Sequence, residues 1–107
     1  MFAALLLATA ALAASPEAQP LVDSAKADAA KRFGVDAQVT SVQRVTWRDG
    51  SLGCPQKGMA YTEALVPGWR LTLKAGERSF DYHASNGGRV IYCAPGRAQE
   101  PLPDSAT

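Results

Sequence analysis

The chain has 107 residues, a formal net charge of +1, 47% hydrophobic residues, two cysteines and one histidine. That length holds one domain. Its 11 Lys and Arg are scattered among 10 Asp and Glu, which excludes the basic clustering of a nucleic-acid or membrane-binding face.

From Phe2 to Ala14 the sequence "FAALLLATAALAA" is uncharged and apolar apart from Thr9. About thirteen residues is too short to cross a bilayer but suits the core of a signal peptide. Ala11 and Ala13 fit an A-x-A cleavage rule, so residues 1–13 read as the signal and Ala14 as the first mature residue. No Lys or Arg precedes the run, so the terminal amine or an upstream start supplies the positive charge. The expected location is periplasmic or secreted, with no stable membrane insertion after cleavage and a monomeric mature chain.

The first mature element is a helix. Val22, Ala25, Ala29 and Phe33 fall on one helical stripe, with Asp23, Lys26, Lys31 and Arg32 largely elsewhere. Pro20 suits the first turn, Lys31 and Arg32 the last, and Gly34 the stop. A stripe made mostly of alanine fits close packing against a flat surface, such as a sheet. "VDAQVTSVQRVTW" follows, dense in Val and Thr, and reads as a strand with a bulge near Gln43. Residues 59–66 read as a short strand or an irregular crossing, ended by Pro67 and Gly68.

"GWRLTLKAGERSFDYH" alternates cleanly. Trp69, Leu71 and Leu73 share one face and Arg70, Thr72 and Lys74 the other. A two-residue turn at Ala75-Gly76 would pair Lys74 with Glu77, Leu71 with Phe80 and Arg70 with Asp81. "SNGGRVIYC" then supplies an Asn-Gly turn and a last strand. A turn at Asn86-Gly87 would pair Tyr82 with Ile91 and Phe80 with Cys93, aiming the Cys93 sulfur into the core. The expected fold class is α+β: one N-terminal helix on an antiparallel sheet of about four strands, with one disulfide. Residues 14–93 form the domain, and 94–107, with three prolines and no apolar period, a disordered tail.

In an oxidising compartment Cys54 and Cys93 read as a disulfide. The bridge would staple the loop "WRDGSLGCPQKG" to the sheet, with Asp49-Gly50 as a turn and Pro55 stiffening the chain past the bridge. A catalytic Cys–His pair would have to be Cys54 with His83. The expected register puts His83 on the face opposite Cys93, where a lone histidine is a solvated strand residue. Two cysteines and one histidine lack zinc-site spacing, and no carboxylate pair, phosphate loop or serine elbow is present. The reading calls for no enzyme, no catalytic residue, no cofactor and no metal.

The stretch "WRDGSLGCPQKGMAY" (residues 47–61), with "PGWRLTL", "FDYHAS" and "VIYC", resembles small exported bacterial proteins that share a W-x-D-G-S-L-G-C-P motif and have no assigned activity. The helix followed by "VTSV" and "GWRLTLKAGERSFDYHASNGGRV" is similar in rhythm to PepSY-type domains, and a cystatin-like arrangement satisfies the same element order. These resemblances imply an inhibitory or binding module. The expected function is an exported, non-enzymatic, peptidase-inhibitor-like unit that binds a protein or peptide partner. Its contact surface is the pinned loop, Ser51, Leu52, Gln56, Lys57 and Met59, flanked by Trp47 or Tyr61. A structural envelope protein without a dedicated ligand and a thiol-dependent enzyme or redox protein are the alternatives. Exposed apolar groups at the loop favour binding, and burial favours the structural role.

Overall fold

The computed structural model describes residues 15–103; the expected signal stretch, 1–13, lies outside them. One helix, α1 (Gln19–Phe33), is followed by β1 (Gln38–Trp47), β2 (Val66–Ala75), β3 (Arg78–Ser85) and β4 (Val90–Cys93). The strands form one antiparallel sheet in the order β1-β2-β3-β4. No helix among the described residues is long and apolar enough to cross a membrane.

The helix forms where its pattern places it. Pro20 sits in the first turn, Lys31 and Arg32 in the last, and Gly34 adopts a left-handed cap whose N–H donates to Ala30 O. Ala25 and Ala29 are fully buried and let the helix lie close to the sheet. Beneath it Trp69, Leu71, Leu73, Phe80 and Tyr82 form the main core. Phe33 packs on Phe80 and edge-on to Tyr92, with centroids 4.7 and 4.9 Å apart.

Strand pairing departs from expectation in three places. The β1 irregularity falls at Thr40, between Val39 and Ser41, rather than near Gln43. Between β2 and β3 the turn is Gly76-Glu77, so Leu71 pairs with Tyr82 and Leu73 with Phe80. A shift of two residues keeps every side chain on its expected face. Arg70 now lies opposite His83, yet it still reaches Asp81 diagonally, Nη2 to Oδ2 at 3.0 Å.

The third departure has larger consequences. Between β3 and β4 the loop takes in Asn86, Gly87 and Gly88, with Ser85 N donating to Arg89 O. The extra residue moves the register by one and turns β4 over. Tyr82 therefore pairs with Tyr92, His83 with Ile91, and Asp81 with Cys93. Cys93 points away from the helix-side core, contrary to the expected pairing with Phe80, and shares a face with His83.

That second face is covered, not solvated. Residues 48–65, which contain no strand, fold over it, and Val45, Trp47 and Leu52 form a second apolar cluster there with Val66 and Ile91. Pro67 and Gly68 are part of β2 rather than a break before it. Gly68 is required because a Cβ there would stand 2.0 Å from Ala84 O, the carbonyl that accepts the Trp47 indole N–H at 3.0 Å. Residues 94–103, expected to be disordered, follow a defined path along the loop and β1. Gln99 N donates to Gly53 O at 2.8 Å and Leu102 N to Thr46 O at 3.0 Å. A proline-rich segment without apolar periodicity is held here by its backbone groups, which composition does not register.

Candidate functional site

The loop is built from its own short-range chemistry. Asp49 Oδ1 accepts the Ser51 N–H at 2.8 Å and the Ser51 hydroxyl at 2.5 Å, closing an Asx turn. Leu52 N then donates to Asp49 O and Cys54 N to Ser51 O. Leu52 adopts φ 55°, a left-handed conformation that costs a branched residue roughly 1–2 kcal/mol. It is held there by burial of its side chain and by its carbonyl, which faces His83 Nδ1 at 2.5 Å. Gly53 follows at φ 69°, and a Cβ on it would stand 2.5 Å from the Trp47 ring. The glycine thus serves both the turn and the close approach to tryptophan.

Cys54 is bonded to Cys93 with Cα atoms 5.7 Å apart, and both cysteines are buried. The remaining ties converge on the same loop. Gly50 N donates to Thr62 O at 2.8 Å, Gln56 N to the Tyr61 hydroxyl at 2.8 Å, Arg89 Nη1 to Gly50 O at 3.0 Å and Arg97 Nη2 to Pro55 O at 2.9 Å.

His83 is the residue the sequence reading misplaces. It is fully buried, stacked on Trp47 with ring centroids 4.3 Å apart and planes inclined by 21°. Its Nδ1 faces Leu52 O, and its Nε2 lies 3.0 Å from Asp81 Oδ2. Both partners are oxygen acceptors, so the ring is held between a backbone carbonyl and a carboxylate. Asp81 also takes two bonds from the Arg70 guanidinium, 3.2 Å to Oδ1 and 3.0 Å to Oδ2. Burial pushes the Asp81 carboxyl up, but the hydrogen bonds from His83 and Arg70 outweigh it and hold the group below the ordinary value of 3.8. Asp81, His83 and Cys93 bring one ligand-capable atom each to within 4.8 Å of one another. A polar residue in an alternating strand gives no sign that a distant loop will cover it. The small residues of "GSLGC" beside Trp47 were the available hint.

The candidate contact residues divide. Ser51 and Leu52 are buried in the clasp, as is Trp47, so they cannot touch a partner. Gln56, Lys57 and Met59 are exposed. Met59 and Leu65 are each 59% exposed and are the large exposed hydrophobics among the described residues; of the two, only Leu65 is absent from the sequence reading.

On the other side of the sheet, the Tyr82 hydroxyl donates to Asp28 Oδ2 at 2.6 Å, joining sheet to helix. Arg32 is the largest influence holding the Asp28 carboxyl below its ordinary value, opposed by burial and assisted by Tyr82. Burial, then the Asp28 carboxylate, pushes the Tyr82 phenol well above its ordinary 10.0. The two signs give two limbs. The lowered Asp28 and Asp81 contribute stability above the ordinary carboxylate value and lose it as pH falls below about 4. The raised Tyr82 contributes below pH about 10 and loses it as pH rises further. The urea midpoint should therefore fall at both ends, and Tyr82→Phe should flatten the alkaline fall above about pH 10. An alkaline limb unchanged in Tyr82→Phe contradicts the assignment to Tyr82.

No curated protein and no solved structure matches the chain. A family model does match, from Val22 in the first turns of α1 to Cys93 at the end of β4, and so takes in the whole sheet, the loop and both cysteines. With residues 22–93 matched, the chain belongs to that family, a domain of unknown function (DUF8738).

Proposed function

We propose that the protein is an exported, non-enzymatic binding module, acting in the manner of a peptidase inhibitor, whose contact surface is the outer loop from Pro55 to Leu65. Its observation is a contrast within one loop. Trp47 and residues 51–54 are buried and locked, whereas 56–65 carry exposed Gln56, Lys57, Met59 and Leu65. The outer segment has no regular secondary structure, yet it is tied at Cys54, Gln56, Tyr61 and Thr62. A pre-ordered loop loses little conformational entropy on binding. A flexible, polarizable methionine at its tip suits insertion into an apolar pocket of a protein partner. The apolar run at the N-terminus and the disulfide support export.

The test is site-specific photo-crosslinking in the producing cell. A crosslinker at position 59 should give one discrete protein adduct and one at position 77, in the distant β2–β3 turn, none. The adduct's partner, purified, should bind the wild-type chain at least about tenfold more tightly than Met59→Asp, a loss of about 1.4 kcal/mol. No adduct at 59, the same adducts from both positions, or equal affinity of Met59→Asp sinks the reading. Such results favour a structural envelope role without a dedicated ligand, which the burial of Ser51 and Leu52 already suits.

A further inference from the structure

We propose that reduction converts the buried disulfide into a metal site, in which Cys54, Cys93, His83 and Asp81 hold one borderline-soft divalent cation of the zinc class. Three of the four ligand atoms already lie within 4.8 Å of one another, and the fourth sulfur is bonded to one of them. The set has two thiolates, one imidazole and one carboxylate, a donor number and softness that suit tetrahedral zinc.

The orientation of His83 carries the argument furthest. Leu52 O takes the Nδ1 proton, as a backbone carbonyl does behind many metal-bound imidazoles, and this fixes the tautomer that leaves Nε2 with a lone pair. Nε2 faces Asp81 Oδ2 at 3.0 Å, so both atoms can turn to one metal ion once the thiols are available. The left-handed backbone at Leu52 places the carbonyl that holds the ring, and Trp47 fixes the ring plane by stacking. Two thiolates and one carboxylate against a divalent ion leave −1, and the guanidinium of Arg70, which bridges Asp81 and Glu100, lies beside that charge.

The chemistry closes. A dithiol delivers two electrons and two protons to the Cys54–Cys93 bond and itself becomes a disulfide. The ion then displaces the two thiol protons, and any proton carried between His83 Nε2 and Asp81, into solvent. The consequence is that the loop stays clasped in both redox states, by a covalent bond in one and by an ion in the other.

The full chain, reduced with a dithiol, freed of excess reductant under argon and titrated with Co(II), tests this. One cobalt per chain should bind, with tetrahedral d–d bands and thiolate-to-cobalt charge transfer, and zinc should displace it. The oxidised chain should show neither spectrum. Asp81→Asn should weaken zinc binding by at least about tenfold. Because His83 variants are expected to be unstable, imidazole ligation is read in the wild type, as histidine scattering in the zinc X-ray absorption spectrum. No cobalt binding by the reduced chain, the same spectrum from the oxidised chain, a zinc spectrum without imidazole, or unchanged affinity in Asp81→Asn overturns the proposal.

Discussion

His83→Ala should lower the unfolding free energy by about 3–5 kcal/mol, the range found when a large buried ring is truncated. The ring is fully buried and stacked on Trp47, so its removal opens a cavity beneath the loop. It also leaves Leu52 O without its donor and Asp81 with Arg70 alone. His83→Phe separates the two losses. It keeps a ring against Trp47 and gives up both polar contacts, so it should cost about 1–3 kcal/mol. Urea unfolding of the oxidised proteins measures both. A cost below about 1 kcal/mol for His83→Ala would show a solvated histidine, the role its place in an alternating strand implied.

The second large effect is the clasp itself. Cys54 and Cys93 are 39 residues apart in sequence, and closing a loop of about forty residues stabilises a fold by roughly 4 kcal/mol in the chain-entropy model. That is a large share of the net stability of a domain this small. Cys54→Ser and Cys93→Ser should each lose about that amount, and the double variant little more, since one bond cannot be broken twice. Strongly additive losses would mean that the sulfurs contribute separately. Loss of the bridge should also loosen the outer loop, because Pro55 and Gln56 follow directly from Cys54.

The sequence shows the helix-side half of this molecule well and the loop-side half poorly, for a physical reason. Ala25, Ala29, Leu71, Leu73, Phe80 and Tyr82 announce their burial by spacing, since a helix and a sheet face each bury residues at a fixed period. The β2–β3 register differed by two residues without consequence, because faces are preserved under an even shift. At Asn86-Gly87-Gly88 a two-residue turn and a three-residue loop are both compatible with the residues. That single-residue choice decides which face Cys93 joins. His83 keeps its expected face and was missed because of the cover over it. Burial by an aperiodic loop leaves no periodic trace, and a histidine satisfied by a backbone carbonyl and a carboxylate two residues away resembles a surface residue. Of the candidate site, the disulfide agrees with the pattern reading, and Gln56, Lys57 and Met59 lie exposed. The inward turn of Ser51 and Leu52 comes from the Asx turn at Asp49 and the left-handed residue after it, which hydrophobicity does not encode.

The most direct measurement is the intact mass of the protein recovered from the cell envelope or medium, alkylated with and without prior reduction. The clasp predicts no label before reduction and two labels after it. A label on Cys54 without reduction would contradict the account, leaving the loop unpinned and an accessible thiol beside His83 to be explained as chemistry rather than architecture.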